Sequence, residues 1–197
     1  VYNMKSKAQS YASPEKYRAH MQQLGHTLEE FRADCGTEYF NKIVDEWCTK
    51  HRLHFTASAP YRHQGNGRSE RYWQSLWNNI RASIADMSQD KDMWTYASNM
   101  CVYVCNAVPV GPQGQIPYTA VTGKEFDYTK LRVPFSAVYP MVEGVRRTTH
   151  DDKRERCIFI RYSEISPSYV CINDEGNVRS RAYEDVKMDE RNPKQVY

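Results

Sequence analysis

The sequence has no long hydrophobic run and no paired-cysteine motif. No apolar segment approaches the roughly 18 to 20 residues that span a bilayer, so no membrane role is expected. The six cysteines include no CxxC pair, and there is no secretory signal, so reduced thiols are expected rather than a disulfide framework. Cys48, His51 and His54 lie three residues apart, but the four well-spaced ligands of a structural zinc site are missing. We therefore expect packing roles for these three residues.

Strong net charge is also missing. The formal balance is only +3, which says little about partners, but the charges are unevenly distributed. Between Arg52 and Arg81 there are five arginines and a single acid, Glu70. This isolated carboxylate in a basic stretch is a candidate functional group.

Strands and helices alternate up to residue 108. Ser13, Pro14 and Glu15 have the types expected at a helix start, and that helix should close near Gly25. Further strands are predicted over 27–33 and 53–59, and further helices over 41–51, 67–87 and 94–108. The tryptophans at 73, 77 and 94 are expected in the core. Such alternation indicates an α/β domain with a mixed sheet.

The composition changes after Pro109. Proline and glycine recur as far as Gly123, which indicates an irregular connection over 109–130. Short strands are then predicted over 158–162, 169–172 and 178–182, with a turn over 173–177. We assign 1–108 to the first domain, 131–190 to a small all-β module and 191–197 to a tail.

Two carboxylates carry the strongest chemical signal. Asp34 ends a predicted strand and Glu70 lies early in a predicted helix, with 35 residues between them. Turn formation by Asp34 and a favourable helix-dipole position for Glu70 are the structural alternatives. The polar and basic residues near Glu70 are candidates for contacts with DNA phosphates, with solvated surface charge as the alternative. They are Arg62, His63, Gln64, Asn66, Arg68 and Arg71.

The spacing of Asp34 and Glu70 resembles the second and third acids of the integrase triad in retroviruses and retrotransposons. Later motifs are similar to those of copia-type elements: Trp94, Ala97, Cys101, Tyr103, Asn106 and Pro109, then Pro117-Tyr118, Gly123-Lys124, Leu131-Arg132-Val133 and Phe135. The segments 1–7 and 157–163 also look like stretches of that family. The chain is identified as resembling the integrase of a copia-type LTR retrotransposon.

The resemblance implies a partial ribonuclease-H-like core over 1–108 and an SH3-like β-module over 131–190. It implies a polynucleotidyl transferase that joins the 3′-ends of element cDNA to host DNA, with Asp34 and Glu70 as catalytic residues. These acids would also ligate Mg²⁺ or Mn²⁺, with two ions in the complete site. The implied partners are the cDNA ends and target DNA, with homo-oligomers in the complete enzyme. The implied location is the nucleus, after a cytoplasmic particle stage.

Some positions depart from the family pattern. Ala33, Cys35 and His63 stand where the family has serine, asparagine and proline. The family's first catalytic acid and its His/Cys zinc-binding module are expected upstream of Val1, so the first strands of the core would be missing. The 197-residue chain is therefore expected to be inactive alone. The alternative function is a non-catalytic remnant, or a domesticated module that binds DNA or protein.

Overall fold

A computed structural model describes residues 2, 4, 12–33, 39, 41–57, 67–87, 89–141 and 154–193. The chain divides into two compact units, one of residues 2–74 and one of residues 75–197 together with Val1. Each unit is described by itself. Among the described residues, no helix combines the length and the apolar character that crossing a membrane requires.

The first unit contains two helices, two strands and the start of a third helix. These elements are α1 (Ala12–Gln23), β1 (Glu30–Ala33), α2 (Lys42–His51), β2 (His54–Ala57) and the first turns of α3 (Gly67–Asp86). Helix α1 begins one residue before the predicted Ser13, so Pro14 and Glu15 fall in its first turn. Gly25 ends the segment with a φ of +84°, a conformation that costs glycine little.

Helix α2 is fixed at both ends by its sequence. The side chain of Asn41 accepts a hydrogen bond from the backbone N–H of Val44 at 3.1 Å, which caps the first turn. At the other end Arg52 takes the left-handed conformation, and its N–H bonds the carbonyls of Cys48 and Thr49. The helix predicted over 41–51 is thereby confirmed.

Strands β1 and β2 are parallel and adjacent. Glu30 is opposite His54, and Ala33 is opposite Ala57. Strand β1 begins three residues later than predicted and β2 one residue later, while residues 58–59 of the second predicted strand lie outside the described residues. A small core lies beside them, built on the buried residues Val44, Cys48 and Leu53, with Phe31, Trp47 and Phe55 packed against it. The ring of Phe31 meets that of Trp47 edge-on at 5.6 Å and stacks on that of Phe55 at 6.0 Å. These aromatic contacts fix the strand pair against α2.

The second unit contains the rest of α3, two helices and a five-stranded sheet. The elements are α4 (Trp94–Ala107), α5 (Pro117–Thr122), β3 (Ser136–Pro140), β4 (Cys157–Tyr162), β5 (Ser168–Ile172), β6 (Val178–Ala182) and β7 (Val186–Pro193). The sheet is antiparallel, in the order β6-β5-β4-β3-β7. The predicted strands over 158–162, 169–172 and 178–182 are confirmed. Helix α5 interrupts the connection that was expected to be irregular.

One hydrophobic core joins helices and sheet in this unit. It includes Leu76 and Ile80 of α3, Met100 of α4, and Phe135 and Phe159 beside and within the sheet. The predicted domain boundary at residue 108 therefore falls inside the second unit, because α4 packs against β4. Among the described strands the C-terminal five form their own sheet, separate from the β1–β2 pair. The assignment of that sheet as SH3-like stays a prediction.

The prediction that the tryptophans lie in the core is wrong. Trp73, Trp77 and Trp94 retain 50%, 38% and 39% of their accessible surface. Leu76 and Ile80 are the buried positions of α3, each 1% exposed. Residues 73, 76, 77 and 80 follow the i, i+3, i+4, i+7 pattern of one apolar stripe on α3, so the sequence spacing could not show which edge of that stripe is buried.

Candidate active site

The parallel pairing of β1 and β2 brings the carboxyl ends of both strands to one edge. Ala33, which ends β1, is buried and lies opposite Ala57 at the end of β2. Asp34 follows Ala33 in the sequence and lies outside the described residues. The pair Ala33 and Ala57 therefore marks the sheet edge at which we expect a carboxylate that follows β1.

Glu70 lies in the first turn of α3 and is exposed. A carboxylate at this position interacts favourably with the helix dipole, and its exposure leaves its oxygens accessible to a ligand. The prediction that Asp34 and Glu70 ligate metal stays a prediction, because only Glu70 lies among the described residues.

The predicted DNA-binding residues are partly described. The backbone of Arg68 lies in the first turn of α3, together with Glu70. Arg71 follows Glu70 at the start of the second turn and is exposed. Arg62, His63, Gln64 and Asn66 lie outside the described residues. Two of the six candidates are therefore on the helix that carries Glu70, in its first and second turns.

Within the described residues, no group of three or more histidine, cysteine or acidic side chains is arranged to hold a metal ion. Asp34 lies outside the described residues, so this finding does not bear on the predicted pair. The carboxylate of Glu70 is a hard oxygen donor, which suits Mg²⁺ or Mn²⁺ in chemical type.

Cys48, His51 and His54, the three residues with spacing suggestive of metal ligands, have different surroundings. Cys48 is 2% exposed, and burial, followed by the nearby carboxylate of Asp45, raises the pKa of its thiol. His51 places Nε2 3.5 Å from an oxygen of Glu15, while His54 lies exposed on β2. Cys48 therefore belongs to the core and His51 to a polar cluster with Glu15.

That cluster was missed at the level of sequence. Glu15 accepts hydrogen bonds from Nε of Arg18 at 3.0 Å, from Nη2 of Arg18 at 2.8 Å and from Nε1 of Trp47 at 2.7 Å. These donors, with Arg18 first and Trp47 second, lower the pKa of Glu15 to about 2. The position of Glu15 in a first helical turn was the only signal, and it gave no indication of Trp47 as a partner.

The known proteins similar to this chain include retrovirus-related Pol polyproteins from transposons. No protein-family model matches the chain. The chain is 30% identical over 166 residues to the retrovirus-related Pol polyprotein from transposon TNT 1-94 of Nicotiana tabacum. The aligned region covers 83% of this chain and 12% of that polyprotein. The chain is also 29% identical over 144 residues to the retrovirus-related Pol polyprotein from transposon RE1 of Arabidopsis thaliana. That alignment covers 73% of this chain and 10% of the polyprotein. The chain thus spans about a tenth of the polyproteins it matches.

The fold of the chain is similar to that of a solved structure. A chain of the simian T-cell lymphotropic virus intasome, determined in complex with the PP2A regulatory subunit B56 gamma, superposes with a TM-score of 0.50. The match covers 95% of this chain and 66% of that chain at 13% identity, so it concerns the fold alone.

The fold is therefore the α/β, ribonuclease-H-like fold of integrase cores, as expected. The chain is homologous to a segment of the retrovirus-related Pol polyproteins of copia-type transposons, and the family resemblance is confirmed.

Proposed function

We propose that this chain carries part of the active site of a DNA integrase, a polynucleotidyl transferase that joins the 3′-ends of element cDNA to host DNA. The observation that carries the proposal is the position of Glu70. It is an exposed carboxylate in the first turn of α3, and 35 residues separate it from the acid that follows β1 in the sequence. Homology to the Pol polyproteins supports the same function.

Asp34 and Glu70 would hold divalent cations from two regular elements, a strand end and a helix. In the complete site two such ions supply activation of the attacking 3′-hydroxyl and stabilisation of the leaving oxygen. The proposed metal site also includes a third carboxylate, from residues upstream of Val1. Three acids offset the charge of two cations better than two acids do, so the 197-residue chain should bind metal weakly by itself.

The arginines near Glu70 would position the DNA. Arg62, Arg68 and Arg71 supply positive donors for phosphate oxygens, with His63, Gln64 and Asn66 as polar partners, and such contacts fix register without reading sequence. The proposed partners are element cDNA ends and target DNA, with a homo-oligomer as the complete enzyme. The proposed site of action is the nucleus, after a cytoplasmic particle stage.

The test is the joining of a labelled duplex 3′-end to plasmid DNA in the presence of Mg²⁺ or Mn²⁺. It uses the 197-residue chain and a version extended by the coding sequence upstream of Val1. We expect joining by the extended protein and little or none by the shorter one. Asp34→Asn and Glu70→Gln in the extended protein should each lower the joining rate by at least about 100-fold, on the order of the loss when one charge-stabilising group is removed from an active site.

Asp86→Asn is the matched control, because Asp86 is an exposed carboxylate at the other end of the same helix. It should join at the parent rate. Joining that is equal in the parent, Asp34→Asn and Glu70→Gln would show that these acids do not carry the chemistry. Metal-dependent joining by the 197-residue chain would show that the third ligand lies within it, with Glu38 and Asp45 as the first candidates. An inactive extended protein that still binds DNA would favour the non-catalytic module.

A further inference from the structure

The second unit contains a pocket of about 460 Å³ that the proposed integration chemistry does not use. Four aromatic rings line it: Tyr103 of α4, Tyr118 of α5, Phe126, and Tyr183 just after β6. The volume falls in the range of pockets that bind small ligands or side chains, about 300 to 1,000 Å³. Because all of these residues belong to one compact unit, the pocket is a feature of that unit alone.

The rings are held in place by the core beneath them. Phe126 meets Tyr103 at 5.5 Å and Tyr118 at 5.1 Å, both edge to face. Tyr103 also stacks on Tyr162, which is buried, with ring centroids 3.8 Å apart. Burial raises the pKa of Tyr103 to about 12, so its phenol is neutral at physiological pH. These packed rings therefore form an aromatic, uncharged part of the pocket wall.

Carboxylates surround these rings. Glu125, Asp127 and Glu184 line the pocket with one basic residue, Lys130, which gives a local formal charge of −2 in a chain whose net charge is +3. Asp127 is oriented by Thr129, whose N–H and hydroxyl donate to it at 3.0 and 2.5 Å, and these bonds lower its pKa. Such a surface repels phosphate and attracts cations.

A cation of the chain already lies against one ring. Nζ of Lys130 is 5.5 Å from the centroid of Tyr183, within the distance at which an ammonium group is attracted to an aromatic face. The pocket therefore has the composition that recognises ammonium groups, and Lys130 occupies one of its aromatic faces.

We propose that this pocket binds the ammonium group of a lysine side chain, methylated or unmodified, from a basic peptide segment of a partner protein. The aromatic faces supply cation–π attraction, and the three carboxylates supply long-range attraction for the positive charges that flank the lysine. A pocket of 460 Å³ is larger than one ammonium group, and this favours a peptide over a small free amine. The site is additional to the proposed DNA-binding residues near Glu70 and is opposite to them in charge.

The test measures binding to the full 197-residue chain by NMR titration. The probes are choline, its neutral isostere 3,3-dimethylbutanol, and a basic peptide with a central lysine in unmodified and trimethylated forms. We expect both peptides and choline to bind with saturable shifts, and the neutral isostere to bind at least about tenfold more weakly, since it lacks the charge that the rings attract.

Three variants locate the binding. Tyr183→Leu and Asp127→Asn should each raise the Kd of the peptide at least about fivefold, because one removes an aromatic face and the other a carboxylate. Lys130→Gln should lower that Kd, because it removes the competing cation. Tyr139→Leu is the matched control: Tyr139 is a half-buried tyrosine of β3 that does not line the pocket, and its variant should bind like the parent. Asp127 is exposed, so Asp127→Asn tests the proposal even if Tyr183→Leu fails to fold.

Several results would overturn the proposal. Equal binding of choline and 3,3-dimethylbutanol would make the pocket an apolar site without cation recognition. Binding of choline without binding of either peptide would assign it to a small amine. Weaker binding of the basic peptide by Lys130→Gln would mean that Lys130 supports peptide binding and does not compete with the ligand's ammonium group for an aromatic face. No binding by any cationic probe at millimolar concentration would remove the site altogether.

Discussion

Trp47 donates its indole N–H to the carboxylate of Glu15 across 2.7 Å, although 32 positions separate them in the sequence. The same carboxylate accepts two bonds from Arg18 and lies 3.5 Å from Nε2 of His51. Glu15 is on α1, while Trp47 and His51 are on α2. One carboxylate therefore ties these two helices together beside the strand pair.

Glu15→Gln should destabilise the chain by about 1 kcal/mol, the usual net worth of a hydrogen-bonded side chain at a partly exposed site. The amide cannot accept two guanidinium bonds and an indole bond with the strength of a carboxylate. Urea denaturation followed by circular dichroism measures the effect. Glu29→Gln, at an exposed position before β1, is the control and should keep the parent midpoint. Equal midpoints for Glu15→Gln and the parent would show that the cluster does not stabilise the fold.

The stability contributed by Glu15 should depend on pH. Its pKa is lowered from 4.5 to about 2 in the folded chain. A group whose pKa is lower in the folded state stabilises fully above its unfolded value, and this contribution is lost as the pH falls toward the folded value. The stability difference between the parent and Glu15→Gln should therefore be constant above about pH 5 and should shrink between pH 4.5 and 2. Denaturation at several pH values tests this, and a difference that does not change below pH 4 would contradict it.

Arg52→Gly should stabilise the first unit. Arg52 ends α2 with a φ of 57°, a region in which residues with a Cβ atom are strained by roughly 1 to 2 kcal/mol. Glycine removes the strain but adds freedom to the unfolded chain, so the expected net gain is about 0.5 to 1 kcal/mol. Arg52→Ala retains the strain and serves as the control. A lower denaturation midpoint for Arg52→Gly than for Arg52→Ala would contradict the expectation.

Phe159→Ala should be strongly destabilising. Phe159 is fully buried on β4, and its ring meets those of Tyr162 and Tyr169 edge to face at 5.0 and 5.3 Å. Truncating a buried phenylalanine leaves a cavity and costs about 3 to 5 kcal/mol. Val178→Ala, on the exposed edge strand β6, should change stability by no more than about 0.5 kcal/mol. Similar thermal midpoints for the two variants would refute the central role of Phe159.

Local sequence signals predicted several elements well. The bounds of α2 follow from the cap at Asn41, and β4 follows from the β-branched and aromatic residues of the segment 158–162. The contacts between elements could not be predicted in this way. Trp73 and Trp77 lie on the same apolar stripe of α3 as Leu76 and Ile80, and tertiary packing decides which edge of that stripe is buried. The Glu15–Trp47 bond and the aromatic pocket likewise depend on how distant segments meet.

The candidate acids are distinguished by spacing and flanking motifs. Neither Asp34 nor Glu70 stands out by residue type, since an aspartate near a glycine is an ordinary turn former and a glutamate early in a helix is favoured by the dipole. Their spacing and the flanking motifs predict a catalytic role for both acids. The structure adds that Glu70 is exposed on the first turn of α3. The strand end before Asp34 is described through Ala33.

The central claim is that Asp34 and Glu70 hold metal together, and a titration of Mn²⁺ followed by electron paramagnetic resonance tests it most directly. The protein is the version extended upstream of Val1, compared with its Asp34→Asn, Glu70→Gln and Asp86→Asn variants. We predict that the first two substitutions each raise the Kd for Mn²⁺ by at least about 10-fold, the lower end of the loss seen even for outer-sphere partners of a metal ligand. Asp86→Asn should leave it unchanged. Equal Mn²⁺ affinity in the parent, Asp34→Asn and Glu70→Gln would contradict the account.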